Sequence, residues 1–443
     1  MHRMVDRSLD LGSYLLRQRW LIVVLACVFL AVHVQYTLKL RHSEHGNRSA
    51  FLRWRAPLAE LDDGVNVWEK YAHPNTPLTT ILLKPFLDLP PMLGSSLWFL
   101  CKSVLALASI LGMLMLLDSA ERPIPLWGKM LAVALSIRPI AGDLMHGNVN
   151  LLILFLIVAM LIATLNRHGM LAGLLLGFAI ACKLTPALFL FYFLWKRAWT
   201  TLLGAGVGLF VFVLLPGAVF GWNNNLTYWQ SWRHQMVAPY AAGIVSSEHK
   251  NQSLPGLLHR MLGAEPSFSE YDGDVKIVLE THNLVSWDRQ AVQGMILASM
   301  VLFSFAAMGF CRASMRDPPR LELIAEFSVV ILGMLLFCER TWKHHCVTLL
   351  VPFCVLAYVV SNGSFARGQR WCAGIALGLT CSLMLSTSTA VFDQHLDAHE
   401  RVGKLAQVYG AYVWAFLVLL ASMFIILHHC RLSVGVRELE SER

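Results

Sequence analysis

Residues 48–86 read RSAFLRWRAPLAELDDGVNVWEKYAHPNTPLTTILLKPF. This stretch lies inside a longer polar segment, 39–91, that separates an apolar run at 20–38 from the next at 94–117. Its acids, asparagines, prolines and aromatics cannot sit exposed in hydrocarbon, where every backbone polar group must find an internal partner. The segment is therefore a folded loop outside the bilayer. Chains that need only connectivity use short turns, so a loop of this length carrying the adjacent carboxylates Asp62 and Asp63 points to a site built at the membrane surface.

The rest of the chain reads as scaffold for that loop. Of 443 residues, 56% are hydrophobic and 14% charged, with a mean hydropathy of +0.56; a soluble domain is roughly 45–50% apolar and about 25% charged. The composition predicts an all-α polytopic transmembrane bundle, a single transmembrane domain over 1–443. About 20 apolar residues cross about 30 Å of hydrocarbon, and apolar runs fall at 20–38, 94–117, 128–142, 149–165, 169–182, 186–198, 200–220, 291–311, 321–338, 345–361, 371–388 and 411–429. About twelve spans result, the third, fifth and sixth being short.

Ten cysteines do not make a disulfide scaffold here, because Cys27, Cys101, Cys182, Cys354, Cys372 and Cys381 fall inside apolar runs and neither long loop contains one. The net charge of +8 is scattered among loops, not striped with aromatics along one face. Membrane surface and phosphate are the expected anionic partners, and nucleic acid is not. Arg3, Arg7, Arg17 and Arg19 precede the first span, which reads as an uncleaved anchor with its start in the cytoplasm. With alternating spans and the two long loops left out, Lys plus Arg number 17 inside against 6 outside. Loops 39–91 and 221–290 are thus expected outside the plasma (inner) membrane, with both termini and the tail at 430–443 in the cytoplasm.

Polar residues collect at one set of span ends. Ser136-Ile-Arg138-Pro139 and Ala-Gly-Asp143-Leu-Met-His146-Gly147-Asn148-Val-Asn150 put charge and amides where a span should be closing, beside backbone-breaking proline and glycine. Ala-Cys-Lys183-Leu-Thr185-Pro186 places a lysine before a helix-breaking proline, where snorkelling to the interface is the plain alternative to a ligand role. The second long loop opens with Trp222, Tyr228, Trp229 and Trp232, the composition of an interfacial aromatic belt. It continues through Asn251-Gln252-Ser253-Leu254 to an amphipathic stretch and an acidic segment, 270–274, that reads as solvated loop. Finally Thr341-Trp342-Lys343-His344-His345 joins two spans; adjacent histidines face different ways, a poor geometry for one metal ion.

In this order, the loop with Trp54, Tyr71 and HPNTPL, then HGNVNLL, KLTP, NQSL and TWKHH, the sequence resembles glycosyltransferase family 87 of the GT-C superfamily. That resemblance covers most of the chain to about residue 360. It implies a GT-C-like membrane enzyme that moves a hexose, most commonly mannose, from a polyprenyl-phosphate sugar donor to a glycolipid or cell-envelope glycan acceptor. It implies no cofactor and no metal, since lysine and arginine supply the cationic charge. The phosphate-binding residues would be Arg138, Lys183 and Lys343. Trp54, Tyr71, His146, Asn148, Asn150, Asn251 and Gln252 would contact substrate. The general base would be an acid of the first loop, which takes the acceptor hydroxyl proton as the bond to phosphate breaks. Two departures stand out: Gly147-Asn148-Val149-Asn150 replaces the family's Gly-Gln-x-Asn, and Asn47-Arg48-Ser49 precedes the aromatic run where the family often has an acid. Asp62, Asp63 and Glu44 therefore compete as the base, with His344 and His345 next. Asp62-Asp63-Gly64 is also an ordinary turn sequence. A transporter or lipid flippase is the other class that explains charge near span ends, but the chain shows no matching halves of the kind transporters carry.

Overall fold

The computed structural model describes residues 11–41, 49–118, 123–272, 275–388 and 402–441. The first span is α1 (Arg19–Arg41). The loop after it folds into α2 (Ala50–Ala59), the short α3 (Val67–Tyr71) and α4 (Pro77–Leu87), and the chain re-enters as α5 (Pro91–Leu117). There follow α6 (Leu126–His146), α7 (Asn150–Leu165), α8 (Gly169–Cys182), α9 (Leu188–Trp195) and α10 (Trp199–Leu214). The second loop holds α11 (Trp222–Trp232), α12 (Leu254–Leu262) and the antiparallel hairpin β1 (Phe268–Asp272) and β2 (Val275–Glu280). The chain closes with α13 (Arg289–Phe310), α14 (Arg320–Phe337), α15 (Leu350–Ser361), α16 (Arg367–Ser386) and α17 (Ala411–Ser441).

All twelve apolar runs are helical, and the protein is an integral, multi-pass membrane protein with an all-α bundle. Among the described residues, six helical stretches, Arg19–Arg41, Pro91–Leu117, Trp199–Phe220, Arg289–Phe310, Lys343–Ser361 and Ala411–Leu432, are long and apolar enough to cross a bilayer. The others are shorter, as α7 and α8 are, or carry charge, as α6 does with Arg138 and Asp143 and α14 with Glu322 and Glu326. Sequence dictates the closest helix crossing. Gly173 and Gly177 of α8 face Gly204 and Gly208 of α10, and a Cβ on Gly173 would lie 2.1 Å from the Thr201 carbonyl oxygen. Small residues let the two backbones touch, which in lipid substitutes for hydrophobic driving force.

The first loop has an apolar core of its own. Phe51, Trp54, Leu58, Leu61, Val67 and Trp68 pack with Leu83, Trp98 and Val149, and Tyr228 joins them from the second loop. The α2 periodicity Phe51, Trp54, Leu58 thus faces protein, each residue being buried. Helix starts follow capping rules: Asn66, Thr76 and Ser253 accept from backbone N–H groups of the first turns of α3, α4 and α12, with Pro77 at the start of α4.

Three readings of the second loop and tail change. Trp222 is exposed as a belt residue should be, but Tyr228 is buried in the loop core, and the Trp229 and Trp232 indoles donate to the Val213 and Pro74 carbonyl oxygens at 3.0 and 3.1 Å. The stretch expected as solvated loop enters a β-hairpin, because Val275-Lys-Ile-Val-Leu is rich in β-branched residues. The segment from 430 continues α17 as helix to Ser441.

Substituting Gly173 by alanine should therefore cost about 1–3 kcal/mol through overpacking, read as a lowered Tm of the purified protein in nanodiscs. Gly206→Ala, on α10 but with nothing within 4 Å of its added Cβ, should leave Tm unchanged. Equal melting of the two variants would refute the close crossing.

Candidate functional site

The site begins with a helix end. The last carbonyls of a helix have no partner within it, and those of α6 are buried under the first loop. Gly147 closes α6 in the left-handed region, φ +81°, with its N–H on the Asp143 carbonyl at 3.0 Å. A Cβ there would lie 2.6 Å from the Phe51 Cβ, so only glycine lets α2 rest on this turn. From α5, Trp98 donates to the Gly147 carbonyl oxygen at 2.9 Å, and Lys102 donates to those of Asp143 and Leu144. These donors supply what water would supply at an exposed helix end, and the lysine adds a charge matched to the negative pole.

The end of α8 is closed in the same way by HPNTPLTT. Thr76 Oγ1 donates to the Ala181 carbonyl oxygen at 2.7 Å and Thr79 Oγ1 to that of Cys182 at 2.8 Å. The chain then leaves the helix extended at Lys183, φ −157° and ψ 128°. Lys183 Nζ donates to Asn150 Oδ1 at 2.6 Å, and Asn150 Nδ2 donates to Asp143 Oδ1 at 2.8 Å. On its other oxygen Asp143 faces Lys102 Nζ at 3.5 Å, both side chains having no exposed surface.

TWKHH completes the cluster. The rings of His146 and His344 meet edge to face at 4.1 Å, His146 lies parallel to Trp342, and Asn148 Nδ2 donates to His344 Nε2 at 3.3 Å. Asn150, Lys183, His345 and Thr348 line one cavity above Ile153 and Leu335. Its volume is about 20 Å³, room for one water-sized group, so it seats a single ligand oxygen and not a whole sugar. Thr348 is buried, and among the described residues its hydroxyl has no hydrogen-bond partner, nor has His146 Nδ1.

Asn251 and Gln252 brace this arrangement. The Asn251 amide donates to the Ser246 and Glu339 carbonyls and accepts from the Ser253 and Thr341 N–H groups. The Gln252 amide donates to the His249 and Gln407 carbonyl oxygens and accepts from the Tyr412 N–H. Both are buried, with their polar atoms committed to backbone, and Asn251 ties the second loop to the segment that carries TWKHH.

The residues singled out by sequence thus separate. His146, Asn148, Asn150, Lys183, His344 and His345 come together. Arg138 and Lys343 meet elsewhere, donating to the Met384 and Thr387 carbonyl oxygens at the end of α16, both at 2.6 Å. Trp54 is buried in the loop core against His73, and Tyr71 lies at the surface with its hydroxyl on Glu60. The Asp62 side chain is 65% exposed and paired with Lys84 at 2.9 Å. Asp63 is exposed in the turn that ends at Gly64, φ +79°. Glu44 lies outside the described residues. Beneath the loop, burial pushes His73 down to about 4. Thr348 carries no sequence signal, while Lys102 was visible only as a lone charge inside a span. A larger cavity, about 260 Å³, opens among α15, α16 and α17 beside Phe365, Cys372 and His429, and contains none of the motif residues.

The model of glycosyltransferase family 87 matches residues 73–338, well over half of the chain. The polyprenol-phosphate-mannose-dependent alpha-(1-2)-phosphatidylinositol mannoside mannosyltransferase of Mycolicibacterium smegmatis is 27% identical over 286 residues, 64% of this chain and 57% of that protein. The Mycobacterium tuberculosis protein of the same name is 30% identical over 216 residues, 46% of this chain and 49% of that one. The chain thus spans about half the length of these relatives. Among solved structures, ArnT from Cupriavidus metallidurans bound to undecaprenyl phosphate aligns at a TM-score of 0.41 and 14% identity, over 93% of this chain and 77% of that one. The family match takes in HGNVN, Lys183 and the NQSL brace, and on it this chain belongs to glycosyltransferase family 87.

Proposed function

We propose that this chain transfers a hexose, mannose on the precedent of its relatives' names, from a polyprenyl-phosphate donor to a glycolipid or cell-envelope glycan acceptor. The observation that carries this is the cavity where Lys183, Asn150, His345 and the unpartnered Thr348 hydroxyl converge. It offers an anionic oxygen a cation and neutral hydrogen-bonding groups in a buried place, where each is worth more than in water. In the reaction the acceptor oxygen bonds to the anomeric carbon, the bond from that carbon to the phosphate oxygen breaks, and the phosphate leaves with the electron pair. Lys183 and Thr348 hold the departing oxygen as its charge grows. The acceptor proton passes to a base. Of the three competing acids, Asp62 is exposed and paired with Lys84 and Asp63 is exposed, and we assign the role to the third, Glu44.

The assignment is tested with purified protein and a polyprenyl-phosphate mannose. Lys183→Gln should weaken donor binding by about tenfold or more, on the scale of breaking a buried charge pair. Glu44→Gln should lower kcat by about 10² to 10⁴ with donor binding intact, while Asp62→Asn and Asp63→Asn keep most of their turnover. A Lys183→Gln variant that binds donor normally returns the lysine to a snorkelling role. An active Glu44→Gln variant moves the base to His345.

The site is placed on the extracytoplasmic face of the plasma (inner) membrane, with both termini cytoplasmic; the bias of 17 basic residues against 6 supports this. In a variant without native cysteines, a membrane-impermeant maleimide applied to intact cells should label cysteine at the exposed position Glu69 and spare it at Arg316. The reverse pattern would turn the protein over.

A further inference from the structure

Lys102 and Asp143 lie too deep to touch a substrate, yet they join the candidate site through an unbroken chain of hydrogen bonds. Lys102 Nζ stands 3.5 Å from Asp143 Oδ2, Asp143 Oδ1 accepts from Asn150 Nδ2 at 2.8 Å, and Asn150 Oδ1 accepts from Lys183 Nζ at 2.6 Å. The asparagine has one possible orientation: a carboxylate only accepts and an ammonium only donates, so its NH₂ faces Asp143 and its oxygen faces Lys183. The amide therefore aims the lysine and relays the state of the carboxylate to it.

Charge along this line decides what Lys183 can hold. The sequence of charges is plus at Lys102, minus at Asp143 and plus at Lys183, with a neutral amide between the last two. If Asp143 stood alone it would be a buried anion one amide away from Lys183, and an incoming phosphate would meet a neutralised and partly repelling site. Lys102 cancels that anion from the side away from the cavity. One positive charge remains uncompensated, and it lies at the cavity wall. A purely structural ion pair between α5 and α6 would need neither Asn150 nor the second lysine.

We infer that Lys102 is a positioning residue for donor phosphate: by neutralising Asp143 it leaves the charge of Lys183 free for the anion, while Asp143 and Asn150 fix where that charge points. This rests on the reading of Lys183 as the phosphate ligand and goes beyond it to two residues buried between α5 and the end of α6.

The test is equilibrium binding of a polyprenyl monophosphate to the full chain in nanodiscs, using protein checked for a native melting transition. Lys102→Met should weaken binding by about tenfold or more, as loss of one partner of a buried charge pair does. Adding Asp143→Asn to that variant removes the stranded anion but keeps an acceptor for the Asn150 amide, and should restore affinity to within about threefold of wild type. Asp143→Asn alone leaves both lysines charged and should bind no more weakly than wild type; it serves the same purpose if Lys102→Met does not fold. A folded Lys102→Met variant with wild-type affinity, a double variant as weak as Lys102→Met, or a tenfold loss in Asp143→Asn would each overturn the inference. Normal binding by Lys183→Gln would instead sink the phosphate reading itself, whereas a weakened Lys183→Gln beside an unaffected Lys102→Met would sink only this inference.

Discussion

Helix ends that water cannot reach must be closed by protein, and this constraint organises the side of the molecule that carries the two long loops. A helix leaves its last carbonyls without internal partners, and here neighbouring helices and loops supply the donors. Lys102 and Trp98 close α6, Thr76 and Thr79 close α8, and Arg138 and Lys343 close α16. Two of these closing residues lie in the motifs, Thr76 in HPNTPL and Lys343 in TWKHH. Once the capping is assigned, Lys183 stands apart: its partner is a side-chain amide and it faces a cavity.

The same requirement explains why the two long loops cannot be separated from the bundle. The first loop rests its own apolar core on the glycine turn after α6 and takes Tyr228 from the second loop into that core. The second loop reaches through the Asn251 side chain and the Gln252 N–H to Thr341, just before TWKHH's histidines, and through the Gln252 side chain to Gln407. Loop, brace and helix ends hold one another. The glycine-lined crossing of α8 and α10 anchors the helix from which Lys183 emerges. Precision of about half an ångström at a ligand site needs such mutual support.

Much of this was legible in the sequence. Each of the twelve apolar runs is helical, and of the polar residues read at one set of span ends the structure brings His146, Asn148, Asn150, Lys183, His344 and His345 together but not Arg138 or Lys343. What periodicity could not show was the partner across the fold. Arg138 and Lys183 look alike in sequence, each a cation near a broken helix, and only the contact with a carbonyl 246 residues away separates the first from the second. Asn251 and Gln252 read as substrate amides because amides are common in sugar sites, but their acceptors and donors are backbone groups of distant segments. Thr348 is an ordinary threonine in an apolar run until its hydroxyl is seen without a partner. Asp62 and Asp63 were conspicuous as a pair, and conspicuous acids on a loop are more often solvated than reactive.

His73, the first residue of HPNTPL, introduces a sensitivity to acid. It is 2% exposed between Trp54 and Trp68, and its imidazole is held down to about 4 against about 6.5 in an unfolded chain. Between those two values the unfolded chain binds a proton that the folded loop refuses, so stability falls as pH drops through this window, by about 3 kcal/mol in all. Above pH 6.5 the term is fully present and costs nothing. A cell can regulate the pH of its cytoplasm but not of its surroundings, and a loop on the outer face would meet that change directly. The histidine under the loop would then set a lower pH limit on where the chain keeps its shape, whatever the groups of the candidate site could tolerate.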